Sequence, residues 1–276
     1  MALVHADHAF AARIERSVMR DLVLLAEMCA RLEPTMSPSW IEIAGGVALY
    51  LAPGSPVNSI YGAGMAGAVA PDALETAERF YRERGAHPAI SLCPLANRSL
   101  VEQLTARGWL VADFENVLAL PLVATGAAAT PPPTFSDVTM REASSLEDRG
   151  EWARISSRAY AAPDEPSQEQ VRLGEAMAAR EDFALLIGAV DGQDAGAGAL
   201  WLDDGLGWLL GDATLPDLRR RGVQSALQSK RCQLAREAGC ELAVTEAQPG
   251  SGSQRNMERQ GFRVVYTRVE MLAPLR

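Results

Sequence analysis

The pattern of this chain predicts a mixed α/β (α+β) fold built as two lobes, each a mixed, mostly antiparallel sheet flanked by helices. Three observations carry that reading. Short alternating apolar runs interleave with helical periodicity along the length of the chain. In the second half, runs at 183–190, 195–202 and 207–213 are joined through Asp-Gly turns, the mark of an antiparallel meander. Finally, a succession of helix, glycine, strand, short helix, glycine-aromatic and strand in the first half returns in the second.

The elements follow in order. Residues 6–32 place Ile14, Val18, Leu22 and Leu25 on one stripe and predict a long helix. Residues 40–44 and 47–51 read as strands joined by Gly45-Gly46, a hairpin signal, with a third strand at 57–61. Pro71 suits the first turn of a helix over 71–84, and Gly85 suits its end. A strand at 89–93, a helix at 98–107 and a strand-rich stretch at 109–120 complete the first half. The segment 123–133, VATGAAATPPP, consists of small residues ending in three prolines, which resist helix and sheet interiors and stiffen a linker. The expected division is therefore a domain at 1–122, a linker at 123–135 and a domain at 136–276. The second half reads as a strand at 137–142, helices near 147–160 and 167–180, and then the meander. A helix at 222–238 ended by Gly239, a strand at 241–246, a short helix at 254–260 and a last strand at 262–271 complete it.

The repeat has a nearly constant offset. Arg82-Glu83-Arg84-Gly85 and Ala89-Ile90-Ser91 recur 154 positions later as Arg236-Glu237-Ala238-Gly239 and Ala243-Val244-Thr245. Gly108-Trp109 recurs 153 positions later as Gly261-Phe262. The same offset carries Arg219 to Gln224 back onto Met65 to Ala70, MAGAVA, where no arginine stands.

Composition excludes several function classes. With 48% hydrophobic residues in 276, a packed core is expected and disorder is not. A net charge of -9 argues against a general nucleic-acid binder, whose affinity comes from a basic surface. Cys29, Cys93, Cys232 and Cys240 form no CxxC pair, and His5, His8 and His87 are not grouped with them, so no metal site is expected. No apolar run is long enough to span a bilayer, and no leader pattern is read at the start. A soluble protein of a reducing compartment, the cytoplasm, is the expectation.

The stretch 214–227, TLPDLRRRGVQSAL, carries the chemistry. An apolar strand leads into it and a helical pattern leaves it. A helix start offers unpaired N–H groups and the positive end of a dipole, a glycine lets the main chain approach a ligand, and arginines add charge-assisted hydrogen bonds. Together they make a phosphate cradle. Its spacing is not the GxxxxGK[ST] of a triphosphate loop. A literal GxGxxG at Gly62, Gly64 and Gly67 is the weaker phosphate signal, because Pro71 postpones the helix that should open at its third glycine.

Arg219-x-x-Gly222-x-Gln224, preceded by Thr214-x-Pro216, resembles the coenzyme A loop Q/R-x-x-G-x-G/A of the GNAT N-acetyltransferase superfamily. A short helix from Ser253-Gln254-Arg255-Asn256 to Gly261-Phe262 resembles a second element of that family. The resemblance covers about 137–272, and the first half resembles a degenerate copy, as in tandem GNAT proteins such as mycothiol synthase. Two departures stand out: Gln224 replaces the usual small residue, and Met257 occupies the place of the family's frequent tyrosine acid.

The resemblance implies direct acetyl transfer from acetyl-CoA, as co-substrate, to an amine. It implies cofactor-binding roles for Ala213, Thr214, Leu215, Arg219, Arg220, Arg221, Gly222, Val223, Gln224, Ser225 and Ala226. Ser253 and Asn256 would add hydrogen bonds from the second helix. Glu246, at the end of its strand, is the expected general base and Asp212 the alternative, since a carboxylate in a partly dry cleft can accept a proton. Tyr160 and Tyr266 are the tyrosines available as acids in this half. The acceptor is a small-molecule or peptide amine, and the acidic balance tilts it toward a cationic small molecule. A homodimer through the N-terminal half is left open. The competing reading is a non-catalytic acyl-CoA-binding or sensing protein.

Overall fold

The computed structural model describes residues 5–122 and 137–275. The expected linker at 123–135 lies outside them. The described residues form two compact units that are not contiguous in sequence: one gathers 118–122 and 137–263, and the other 5–117 with 264–275. The expected division at 123–135 kept the last strand with the second half. By contacts, that strand groups with the N-terminal unit, while the end of the first half groups with the C-terminal one.

In the N-terminal unit, α1 (His8–Leu32) starts where the Asp7 carboxylate accepts the Phe10 N–H at 2.8 Å. Next come β1 (Ser39–Ile43) and β2 (Gly46–Tyr50), which pair antiparallel. Their turn is Ala44-Gly45, both at positive φ, rather than Gly45-Gly46. Gly46 belongs to the strand, where a Cβ would fall 2.2 Å from the Tyr61 carbonyl. The third strand, β3 (Ile60–Tyr61), is shorter than expected. The Asn58 side chain takes the Leu51 N–H at 2.7 Å and donates to the Ala52 carbonyl at 2.6 Å, replacing ladder bonds there.

The rest of this unit is α2 (Ala73–Arg82), β4 (Ala89–Leu92), α3 (Arg98–Ala106) and most of β5 (Leu110–Pro121). It is completed by β11 (Arg263–Leu272), which pairs antiparallel with β4 through Val269↔Leu92 to Leu272↔Ala89. Leu74, Phe80, Tyr81, Ile90, Leu100, Leu104 and Trp109 make its core. Beside that core lies a buried polar cluster in which Glu15 accepts from Tyr266 at 2.7 Å and from Arg268 at 2.8 Å. Burial above all raises the Tyr266 hydroxyl far above its ordinary pKa, and its proton is held by the Glu15 carboxylate.

In the C-terminal unit, β6 (Val138–Glu142), β7 (Phe183–Val190), β8 (Gln193–Asp203) and β9 (Leu206–Thr214) form the antiparallel meander in chain order. Asp191-Gly192 and Asp204-Gly205, all at positive φ, make its two tight turns. β10 (Leu242–Ala247) then pairs parallel with β9. Helices α4 (Leu146–Ala161), α5 (Gln168–Ala179), α6 (Val223–Glu237) and α7 (Gly252–Arg259) flank these strands. The core gathers Leu200, Leu209, Ala243, Met257 and Phe262, with a second cluster of Leu186, Val190, Val223 and Leu227.

The repeat read from the sequence has a structural counterpart in each unit. Gly85 and Gly239 follow α2 and α6 at φ of +65° and +82°, and Gly108 and Gly261 follow α3 and α7 at +75° and +99°. The next residues return N–H groups to the helices, Trp109 to Leu104 at 3.0 Å and Phe262 to Met257 at 3.1 Å.

Candidate active site

The site is built where β9 meets α6. Residues Pro216–Leu218 make one 3₁₀ turn, and the chain then passes through Arg219 in extended and Arg220 in left-handed geometry, φ +65°. Gly222, at φ +82°, starts α6 with no side-chain cap, so the first N–H groups of the 15-residue helix are left for a ligand. This turn and the start of α7 wall a cavity of about 1130 Å³.

Most of the sequence-derived site residues meet there. Asp212, Ala213 and Thr214 line the cavity from β9, as do Arg219, Arg220, Gly222, Val223, Gln224 and Ser225 from the turn, and Ser253 and Asn256 from α7. Arg219 also braces the turn, donating to the carbonyls of Thr214 and Ala159 at 3.2 Å each. The Thr214 hydroxyl is buried with no hydrogen-bond partner, an unmet polar group on the wall.

Gln224 lies inside α6, so its φ is negative and a side chain is tolerated. That side chain joins the two helix starts, donating to the Ser253 hydroxyl at 3.4 Å and accepting from the Asn256 amide at 2.6 Å.

Four expected residues lie elsewhere. Arg221 turns away to pair with Asp191 at 2.7 Å. The Leu215 N–H is held by the Ala195 carbonyl at 2.9 Å, and its side chain packs on the core. Ala226 is fully buried on the core face of α6. Glu246 is not on the cavity wall. Asp212 is on the wall, but its carboxylate is the counter-ion of the fully buried Arg231 and also accepts from Gln228 at 3.1 Å. It is therefore poorly placed to take a proton from an amine.

Of the two tyrosines available as acids, Tyr160, near the end of α4, is on the cavity wall; sequence reasoning missed Ala162 just after α4, Gln248 after β10, and Ser251, Arg255 and Arg259 around α7, which are on it too. The i, i+4 spacing of Arg255 and Arg259 put both on one helix face and was legible. Ala162 comes from far away in sequence and carried no local signal. Met257 is fully buried in the core, so no proton donor stands at that position. Among the described residues, no group of His, Cys, Asp and Glu could hold a metal ion, and no helix is long and apolar enough to cross a membrane.

With this geometry in hand, comparison with known proteins places the domain. Residues 149–262 match the model of the Acetyltransferase (GNAT) family, and this part of the chain is a GNAT acetyltransferase domain. The family's reaction is acyl-CoA-dependent acetyl transfer, and the domain is an acyltransferase of that kind.

Among solved structures, the chain is similar to a GCN5-related N-acetyltransferase from Kribbella flavida (20% identity, 94% of this chain and 96% of that one, TM-score 0.62). It is also similar to a GCN5-related N-acetyltransferase from Sphaerobacter thermophilus (18% identity, 73% and 67%, TM-score 0.57). A third is a tandem GNAT protein from the clavulanic acid biosynthesis pathway (14% identity, 83% and 74%, TM-score 0.54). At these identities the likeness is one of fold. No curated protein matches the sequence.

Proposed function

We propose that the protein transfers the acetyl group of acetyl-CoA directly to an amine, with a cationic small molecule as acceptor. The observation that carries this is the turn at 219–225: two arginines and an uncapped helix start facing one cavity, with the unpartnered Thr214 hydroxyl on its wall. Such a wall fits coenzyme A. Arg219, Arg220 and the N–H groups of α6 would hold its pyrophosphate, and Ser253 and Asn256 would bond it from α7. Bound acetyl-CoA supplies an activated thioester.

The chain's own groups favour direct transfer over an acyl-cysteine. No cysteine lines the cavity, and burial pushes the Cys232 thiol up to about 11. Because Glu246 is off the wall and Asp212 is engaged, deprotonation of the acceptor falls to solvent at the mouth. The rate should then rise about tenfold per pH unit until the acceptor's own pKa is reached, since only the neutral amine attacks. Tyr160, the phenol on the wall, is the proposed proton donor to the departing thiolate.

Calorimetry with acetyl-CoA, followed by transfer assays over a panel of amines, tests the reading. Submillimolar affinity with a pH–rate profile that tracks each acceptor supports it, and no binding sinks it. The buried Met257 at the family's acid position favours a second reading, acyl-CoA sensing without catalysis. Tight binding without turnover on any amine would select that reading.

A further inference from the structure

The strand break between β8 and β9 has its carbonyls satisfied by side chains from two helices. The register runs Ala197↔Ala213 and then Ala199↔Leu210, so Gly198 faces both Gly211 and Asp212. The additional residue of such a bulge drops out of the ladder. Gly211 takes φ +62°, a conformation that favours glycine. Trp152 of α4 donates its indole N–H to the Gly198 carbonyl at 3.2 Å. Arg231 of α6 donates to the carbonyls of Ala199 and Leu210 at 3.0 Å each, and to the Asp212 carboxylate. Its Nε returns to the Leu227 carbonyl at 3.1 Å.

Glycine makes room for both clamps. A Cβ at Gly198 would fall 2.8 Å from the guanidinium carbon, and one at Gly211 would fall 3.2 Å from the Trp152 ring. Gln228 adds a second bond to Asp212 and accepts one from Gln260.

A fully buried arginine is costly to desolvate, and a buried ion pair rarely stabilises more than apolar side chains of the same volume. Stability alone is therefore a weak reason for it. What Arg231 and Trp152 do fix is the main chain at the break, and the next residues, Asp212 to Thr214, line the cavity. We propose, building on the acyl-CoA reading, that Arg231 and Trp152 are positioning residues. The acyl-CoA reading already implies a main-chain N–H at 212–215 as donor to the acyl carbonyl, and these two side chains hold that stretch of main chain in place for it.

The test uses the full chain, acetyl-CoA and S-ethyl-CoA, in which a methylene replaces the carbonyl. Calorimetry on the unaltered protein should show acetyl-CoA binding about five- to tenfold tighter, the worth of one hydrogen bond. Arg231→Met, checked for folding by circular dichroism, should keep its S-ethyl-CoA affinity within about threefold while the ratio collapses toward one. Trp152→Phe, which keeps an aromatic ring and loses the N–H, should lower the ratio about two- to threefold and carries the test if Arg231→Met does not fold. A purely structural role would lower Tm and leave the ratio alone. A ratio that survives in a folded variant, or a ratio of one in the unaltered protein, overturns the proposal. Failure of both ligands to bind the unaltered protein removes the acyl-CoA reading instead.

Discussion

The two units carry the same helix, glycine, strand, helix, glycine, strand succession, and they treat the turn before its first helix in opposite ways. In the N-terminal unit the turn 65–70 is sealed by α3: the Ser99 hydroxyl takes the Val69 N–H at 2.9 Å, and Gln103 donates to the Val69 carbonyl at 2.9 Å. Met65 and Val69 are buried there. In the C-terminal unit the serine at the repeat-equivalent place is Ser253, and what reaches it is the Gln224 side chain rather than the main chain of Val223. The helix start stays uncapped and two arginines stand at the turn. One frame can thus be closed by its own main chain or held open by a side chain, and only the open version is a phosphate cradle.

The sharpest way to break that comparison is to remove the arginines. Arg219→Ala together with Arg220→Ala should weaken coenzyme A binding about 100-fold or more, with a shallower salt dependence, because each charge-assisted bond contributes about 1.5–3 kcal/mol. Calorimetry gives both numbers, and the unaltered chain should titrate to one equivalent. The N-terminal unit has a cavity of its own, about 700 Å³, between α1 and the β1–β2 hairpin, but none of the 65–70 turn lines it. A second equivalent of coenzyme A would end the comparison.

A smaller effect separates the two glycines of these turns. Gly222→Ala places a Cβ at φ +82° on the wall of the cavity and should weaken coenzyme A about tenfold. Gly67→Ala, at φ +134° in the other unit, should strain its own turn and leave coenzyme A affinity unchanged. Equal effects on affinity would mean that the two turns are not functionally distinct.

The helix-ending glycines test the likeness rather than the difference. Gly108→Ala and Gly261→Ala each place a side chain at positive φ, +75° and +99°, and should each cost about 1–2 kcal/mol in urea unfolding. A cost at one and none at the other would say that the two caps only look alike.

Much of this was legible because it is local. Asp-Gly turns, helix-ending glycines and the arginine turn all act over a few residues, and those elements stand where the sequence placed them. What was missed is non-local. That 264–275 groups with the N-terminal unit follows from strand pairing, which leaves no mark in a single stretch of sequence. Arg231 reads in sequence as an ordinary polar position of α6, and only Gly198, whose missing Cβ leaves room for the guanidinium, makes it a clamp. Glu246 and Asp212 were nominated by strand position alone. Whether a carboxylate is free depends on partners such as Arg231, which spacing does not reveal.

The smallest expected effect concerns Gln224, which the sequence marked as a departure from the family's small residue. Its repeat-equivalent is Ala70, exposed and without a bridging role in the closed turn. If a small residue simply gave the ligand more room, Gln224→Gly would tighten coenzyme A binding. The geometry points the other way. Gln224 spans from α6 to Ser253 and Asn256, and its loss frees Ser253 to seek the main chain of α6, as Ser99 does in the closed turn. Gln224→Ala and Gln224→Gly should therefore both weaken coenzyme A, by about threefold, the net worth of one neutral hydrogen bond. Asn256→Ala in the Gln224→Ala background should weaken coenzyme A by about a further threefold, because the Asn256 amide would itself bond the coenzyme. Tighter binding in either single variant would show that the open turn is kept open by something other than this bridge.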